Sequence, residues 1–217
     1  MVGIAPSLLA IDTSVWQTAL AVMQLCGLTQ AEALKVGRNN AKVLINDWLA
    51  TDRLVNQLAL QRCLPGGLSA AQVYERHAGY VASHSAEWLA GRLLFLQQHG
   101  LLHLLVPQKK ELLQEWRQEN GFRADMRPPG EPPLISLRDV GKLTGARFAS
   151  LPAVQAAGGL SALRAFQRGL KSSSAWLELQ AAAAEEQARL LPLLPEDLRQ
   201  ATEKRQQAAE QCDEEEE

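Results

Sequence analysis

The side chains best equipped for chemistry are few: His77, His84, His99 and His103, with Cys26, Cys63 and Cys212. His99 and His103 stand four residues apart, the spacing that sets two imidazoles on one helical face to hold zinc. That pair has no third ligand nearby, and Gly100 between the two histidines tends to end a helix, so no metal site is expected. The cysteines are too far apart for a metal-ligand pair and odd in number, which suggests neither zinc nor a disulfide framework. Cys26 and Cys63 lie at apolar helix ends and are read as core thiols, which fits a reducing compartment. His77 and His84 are read as surface or junction residues. There is no phosphate-cradling glycine loop, no nucleophile elbow and no HExxH; the glycine pairs at 66–67 and 158–159 stand where helices stop. The expectation is a chain with no catalytic residues and no cofactor, and not an enzyme.

The basic residues are the better candidates for function. Lys35, Arg38 and Lys42 cluster, Arg76 follows, and Arg92, Lys109, Lys110 and Arg117 continue along successive helical segments. Two chemistries compete for them. Positive charge at regular intervals suits a phosphate backbone, which positions a partner without reading its sequence. Equally, Arg76 has Glu75 beside it, Arg92 lies beyond Glu87 and Lys110 sits near Glu115, so local ion pairs would also account for them. The net charge of -2 hides an asymmetry: residues 1–171 hold 18 Lys and Arg against 12 Asp and Glu, whereas residues 172–217 hold 4 against 12. A basic body can meet a polyanion whatever the total charge, because binding depends on the local patch.

Which elements would carry these residues follows from composition and pattern. Hydrophobic content is 47%, rich in Leu and Ala and poor in β-branched and aromatic residues, which favours helix. Gly67 to Gly100 reads as two helices with a break. Ser69 with Gln72 forms a capping box for the first, and Trp88, Leu89, Leu93 and Leu96 form one face of the second. Gly27-Leu28-Thr29 with Glu32 makes the same start upstream, and Gly100-Leu101 follows downstream at a similar interval. Arg38 comes after Gly27, and Arg76 after Gly67, at comparable distances and each before a break; Trp16, Trp48 and Trp88 open the helices that follow. Intervals of roughly 30–40 residues indicate stacked helical repeats, each unable to bury its apolar face alone. Equivalent positions such as Arg38 and Arg76 would then line one surface.

Ala5-Pro6-Ser7-Leu8-Leu9 and the run from Trp16 to Thr29 resemble the mitochondrial transcription termination factor (mTERF) family of plants and algae. The family repeats a Gly-Leu-(Ser/Thr) helix start, an Arg, a Pro-x-Leu-Leu corner and an apolar helix ending at the next Gly-Leu. Pro6-Ser7-Leu8-Leu9 matches the corner in full, Ala41-Lys42-Val43-Leu44 lacks its proline, and Leu151-Pro152-Ala153-Val154 is a degenerate echo. The resemblance covers about residues 1–106. It implies an all-α chain of helical repeats stacked into a superhelix, whose basic concave face binds double-stranded DNA or structured RNA. Family members act in transcription termination, transcript processing or organellar ribosome assembly. On this basis Lys35, Arg38, Lys42, Arg76, Arg92, Lys109, Lys110 and Arg117 are nucleic-acid contacts in a mitochondrion or chloroplast. The alternative is a structural component of an organellar ribosome or other large assembly, binding rRNA and neighbouring proteins. A helical adaptor that binds only protein is a third reading.

Four segments are expected: residues 1–126 as helical repeats, 127–135 as a proline-rich linker, 136–194 as an additional helical segment, and 195–217 as a polar helix with an acidic tail. Within them, Ser136 with Asp139 starts a short helix, 148–157 forms another, and Pro107 opens a helix over 108–119. No stretch reaches the roughly 20 apolar residues of a membrane span, so no membrane partner is expected. The chain opens inside a repeat, so residue 1 is not expected to begin the functional protein, and a missing targeting segment is uninformative.

Overall fold

Three times among the described residues a Ser or Thr hydroxyl accepts from the backbone N–H three residues on, while the side chain of that later residue accepts from the first backbone N–H. Thr29 with Glu32 starts α2 (Gln30–Asn39), Ser69 with Gln72 starts α4 (Ala70–Ser83), and Ser136 with Asp139 starts α6 (Leu137–Lys142). Each box satisfies amides that a helix start leaves without partners. The computed structural model describes residues 12–106 and 134–215. The helix expected over 108–119, the proline corner at residue 6 and most of the proline-rich segment lie outside them.

The remaining elements fill in between. Asp12 caps α1 (Thr13–Leu25), and the bonds it accepts from Ser14 hold its carboxyl below the usual range. Gly27, at φ +105°, then turns the chain through a conformation only glycine adopts readily. After α2 come a 3-10 turn (Ala41–Ile45) and α3 (Thr51–Cys63). No side chain caps α3: Ala50 holds the cap position, and the Asp52 carboxylate in the first turn accepts from the Ala86 N–H at the start of α5 (Ala86–Gln98), 3.2 Å away. Two short strands, β1 (Leu105–Val106) and β2 (Ile135–Ser136), pair in parallel with Leu105 opposite Ile135. Beyond α6 lie α7 (Gly145–Ala149), α8 (Pro152–Ala156), α9 (Gly159–Gly169), α10 (Ser174–Leu190) and α11 (Glu196–Glu215). The single helix expected over 148–157 is thus two, because Pro152 cannot donate into a continuing helix and instead takes the first position of α8.

Among the described residues the molecule is all-α apart from the two-residue strands. Its centre is α3, which packs against both α5 and α10. Leu54, Leu60, Leu89, Leu93, Leu96 and Leu179 are sealed there. Trp48 is fully buried, donates its Nε1–H to the Val43 carbonyl at 2.7 Å and meets Tyr74 edge-on. One contiguous apolar cluster runs from Ala19 to Leu194 and draws on both sides of residues 107–133.

The final helix, expected to be polar with hardly any apolar stripe, has a narrow anchoring one. Leu198 and Thr202 are buried, and Arg205 donates to the hydroxyls of Ser14 (2.8 Å) and Thr202 (3.0 Å), fixing α11 to α1. Those three residues stand at i, i+4 and i+7, one helical face.

Candidate nucleic-acid interface

Lys35 and Arg38 on α2, Lys42 in the 3-10 turn and Arg76 on α4 are all exposed. None pairs with a carboxylate among the described residues. Glu75 is not bonded to Arg76, and Glu87 pairs with Lys171 at 2.6 Å. Helices α2 and α4 lie side by side and run the same way, since Gly27 approaches Ala71 at one end and Gly79 approaches Asn40 at the other. The four cations therefore stand on neighbouring elements.

They do not repeat in register. Counted from the caps, Arg38 is nine residues beyond Thr29 and Arg76 is seven beyond Ser69, a difference of two residues or about 200° around a helix. The position matching Arg38 is Ala78 and the position matching Arg76 is Val36, and both are buried. Six residues after each cap stand Lys35, Glu75 and Lys142, so the acid interrupts the row. The expectation that Arg38 and Arg76 occupy equivalent positions is corrected: glycine-to-arginine spacing hides a register shift that the caps expose.

Arg92 requires a larger correction, because it is 1% exposed and offers nothing to a phosphate. Its Nη1 donates to the carbonyls of Val140 (2.6 Å) and Leu143 (2.7 Å), the last turn and C-cap of α6. The guanidinium plane lies over Trp88, 3.7 Å from the ring centroid, with Phe148 at 4.8 Å. No carboxylate accompanies it among the described residues, and Nε and Nη2 have no hydrogen-bond partner there. Burial alone pulls its pKa down to about 10, leaving it charged at neutral pH. Beside it, the Trp88 indole N–H donates to the Gly141 carbonyl at 2.8 Å. A Cβ on Gly141 would stand 2.9 Å from the Tyr80 ring, so a side chain there would push α6 off α4.

Arg53 on α3 does for α4 what Arg92 on α5 does for α6. Its Nη1 donates to the carbonyls of Val81 (3.0 Å) and His84 (2.7 Å), again the last turn and the C-cap, three residues apart. Asn56 adds a bond to the His84 carbonyl and accepts from the Ala90 N–H. Each arginine thus clasps the carbonyl end of the next capped helix, where unsatisfied carbonyls and the helix dipole favour a cation.

The other candidates fall as follows. Lys109, Lys110 and Arg117 lie outside the described residues. His77 is buried in α4, at i+4 from Val73 and i−4 from Val81, which corrects its surface reading; burial lowers its pKa. His84 stands at the junction, its Nδ1 2.9 Å from the Tyr80 carbonyl. His99 caps α5 against Phe95 and His103 sits in the following 3-10 turn beyond Gly100 (φ +67°), so the two do not share a helix. Cys63 is buried, with its thiol pushed up to about 11, and Cys26 is partly buried. Among the described residues no three His, Cys, Asp or Glu gather as a metal site, and no helix is long and apolar enough to cross a membrane. Exposed cations that sequence reasoning passed over include Arg138, Lys142 and Arg147 on α6 and α7, and Arg164 and Arg168 on α9. The capping box at Ser136 was the signal for the first three, since it marks a third helix start of the kind seen at Thr29 and Ser69.

No protein-family model, curated protein or solved structure matches this chain.

Proposed function

We propose that this chain is a helical-repeat protein of the mTERF type that binds double-stranded DNA or structured RNA in a mitochondrion or chloroplast, without catalysing a reaction. The observation that carries the reading is the set of exposed cations, unpaired among the described residues, on helices held in place by their neighbours. The two arginine clasps support the stacked-repeat part of it, because the same donors reach the same two carbonyl positions at successive junctions. A surface that holds Lys and Arg free of ion pairs has already met the cost of keeping like charges together, and phosphate relieves that repulsion. Contacts of this kind give affinity without sequence choice.

A second reading, a structural component of an organellar ribosome or similar assembly, is favoured by the acidic C-terminal part. Residues 172–217 carry 12 Asp and Glu against 4 Lys and Arg, a surface suited to basic neighbours and unsuited to nucleic acid. One experiment separates the two: purification of the tagged protein from its native cells with and without nuclease, followed by identification of what remains bound. Recovery of one organellar locus or transcript that nuclease abolishes supports the first reading. Recovery of assembly proteins that survives nuclease replaces it with the second.

A further inference from the structure

Positive charge is unevenly distributed along the described chain. Residues 12–106 hold 7 Lys and Arg against 6 Asp and Glu, whereas residues 134–171 hold 6 against 1. The single acid, Asp139, is committed to the capping box, its Oδ2 accepting from the Ser136 N–H at 2.9 Å and hydroxyl at 2.7 Å. Lys171 is committed to Glu87. Arg138, Lys142, Arg147, Arg164 and Arg168 remain exposed and have no carboxylate partner among the described residues.

Two of these converge on α9. Arg164 and Arg168 stand one turn apart and, with Gln167, Ser161 and Leu160, line an open groove of about 820 Å³. The opposite face of the helix fixes this orientation: Leu163 is buried, and Phe166 packs edge-on against Phe95 with ring centroids 5.5 Å apart. Helix α9 contains no acid, and α7, which packs against it, carries the exposed Arg147. Four residues of helix advance roughly 6 Å, so the two guanidinium groups meet separate points on an extended chain. Ser161 and Gln167 supply neutral donors of the kind that bond phosphate and sugar oxygens.

We propose that the α9 groove, rather than the cations of α2 and α4, is the principal phosphate-binding surface of this protein, and that its ligand is the phosphodiester backbone of a nucleic acid. This location rests on the nucleic-acid reading above and makes it specific. Charge complementarity selects the occupant: among the described residues the groove is lined by two arginines and no acid, a local patch that attracts a polyanion more strongly than the mixed acids and cations of residues 12–106. The groove distinguishes chain charge and not base identity, since it offers side chains suited to backbone contact.

The test is fluorescence anisotropy of the full chain with a labelled hairpin RNA and a labelled duplex DNA, across a salt series. R164Q/R168Q is compared with R38Q/R76Q, all four residues being exposed. The expected result is a loss of at least about tenfold in affinity for R164Q/R168Q, with the salt slope reduced by about two, one for each phosphate contact removed. R38Q/R76Q should lose several-fold less. Unchanged binding by R164Q/R168Q together with a large loss in R38Q/R76Q overturns the location and leaves the nucleic-acid reading in place. Failure of the unaltered chain to bind either probe overturns both. If the unaltered chain retains an acidic protein after nuclease treatment and R164Q/R168Q does not, the groove belongs to a protein and the proposal is overturned.

Discussion

The junction of α3 with α4 and the junction of α5 with α6 solve one problem with different means. In both, an arginine on the earlier helix donates to the C-cap carbonyl and the carbonyl three residues before it. At the first, Arg53 is half-buried and Asn56 backs it up on the same His84 oxygen. At the second, Arg92 is sealed, holds both oxygens alone and leans on the aromatic faces of Trp88 and Phe148. Burial strengthens each bond and raises the cost of losing it, so the second junction is stiffer and has less redundancy.

The largest expected effect follows from that asymmetry. Arg92→Ala should destabilise the fold by about 3 kcal/mol, because it orphans two carbonyls and leaves a cavity between the aromatic rings. Arg53→Ala should cost about half as much, roughly 1–2 kcal/mol, since Asn56 keeps the His84 carbonyl satisfied. Denaturant midpoints at unchanged slope would measure both. Equal losses would show that Asn56 contributes nothing, and a harmless Arg92→Ala would show that the two carbonyls find other donors.

Smaller losses are expected at the helix starts. Ser136→Ala should cost about 1 kcal/mol and Thr29→Ala somewhat less, because the Ser136 box is partly buried and the Thr29 box is open to water. The reverse order would mean that α6 is held by the Arg92 clasp and scarcely by its cap.

The smallest effect concerns pH. Burial lowers the pKa of His77, so the folded chain binds fewer protons than the unfolded chain just below the ordinary histidine value near 6.5. Stability should therefore fall as pH drops through and below that value, and the part due to His77 should vanish in His77→Gln. Arg76, the second cause of the shift, points the same way. A melting temperature with the same pH dependence in both proteins would show that His77 titrates as in the unfolded chain.

Local grammar was legible in the sequence, and long-range commitments were not. Thr29 with Glu32, Ser69 with Gln72 and Ser136 with Asp139 could be read as caps because the geometry depends on residues three apart. The third cap could not be read as a third unit, since Leu134-Ile135 replaces the Gly-Leu that marks the others and the stretch from Ser69 to Ser136 is far longer than that from Thr29 to Ser69. Arg92 escaped because charge in an amphipathic pattern is read as solvent-facing. Yet its neighbours from Leu89 to Leu96 are all buried, a continuous run that leaves no polar face. In α11 the anchor is Leu198, Thr202 and Arg205, two of which are polar, so hydrophobic periodicity could not reveal it. The α9 groove was missed for a different reason: whole-body charge was counted to residue 171 as one block, which averaged a neutral half with a strongly basic one.

The parallel pairing of β1 with β2 bears on the path of the backbone. With Leu105 opposite Ile135, the backbone leaves at Val106 and returns at Leu134 to nearly the same place. The seating of α6 on α4 and α5 is set by Arg92, Trp88 and Gly141. The short pairing thus acts as a clasp of the backbone itself, which fixes where the chain leaves the first group of helices and where it enters the second.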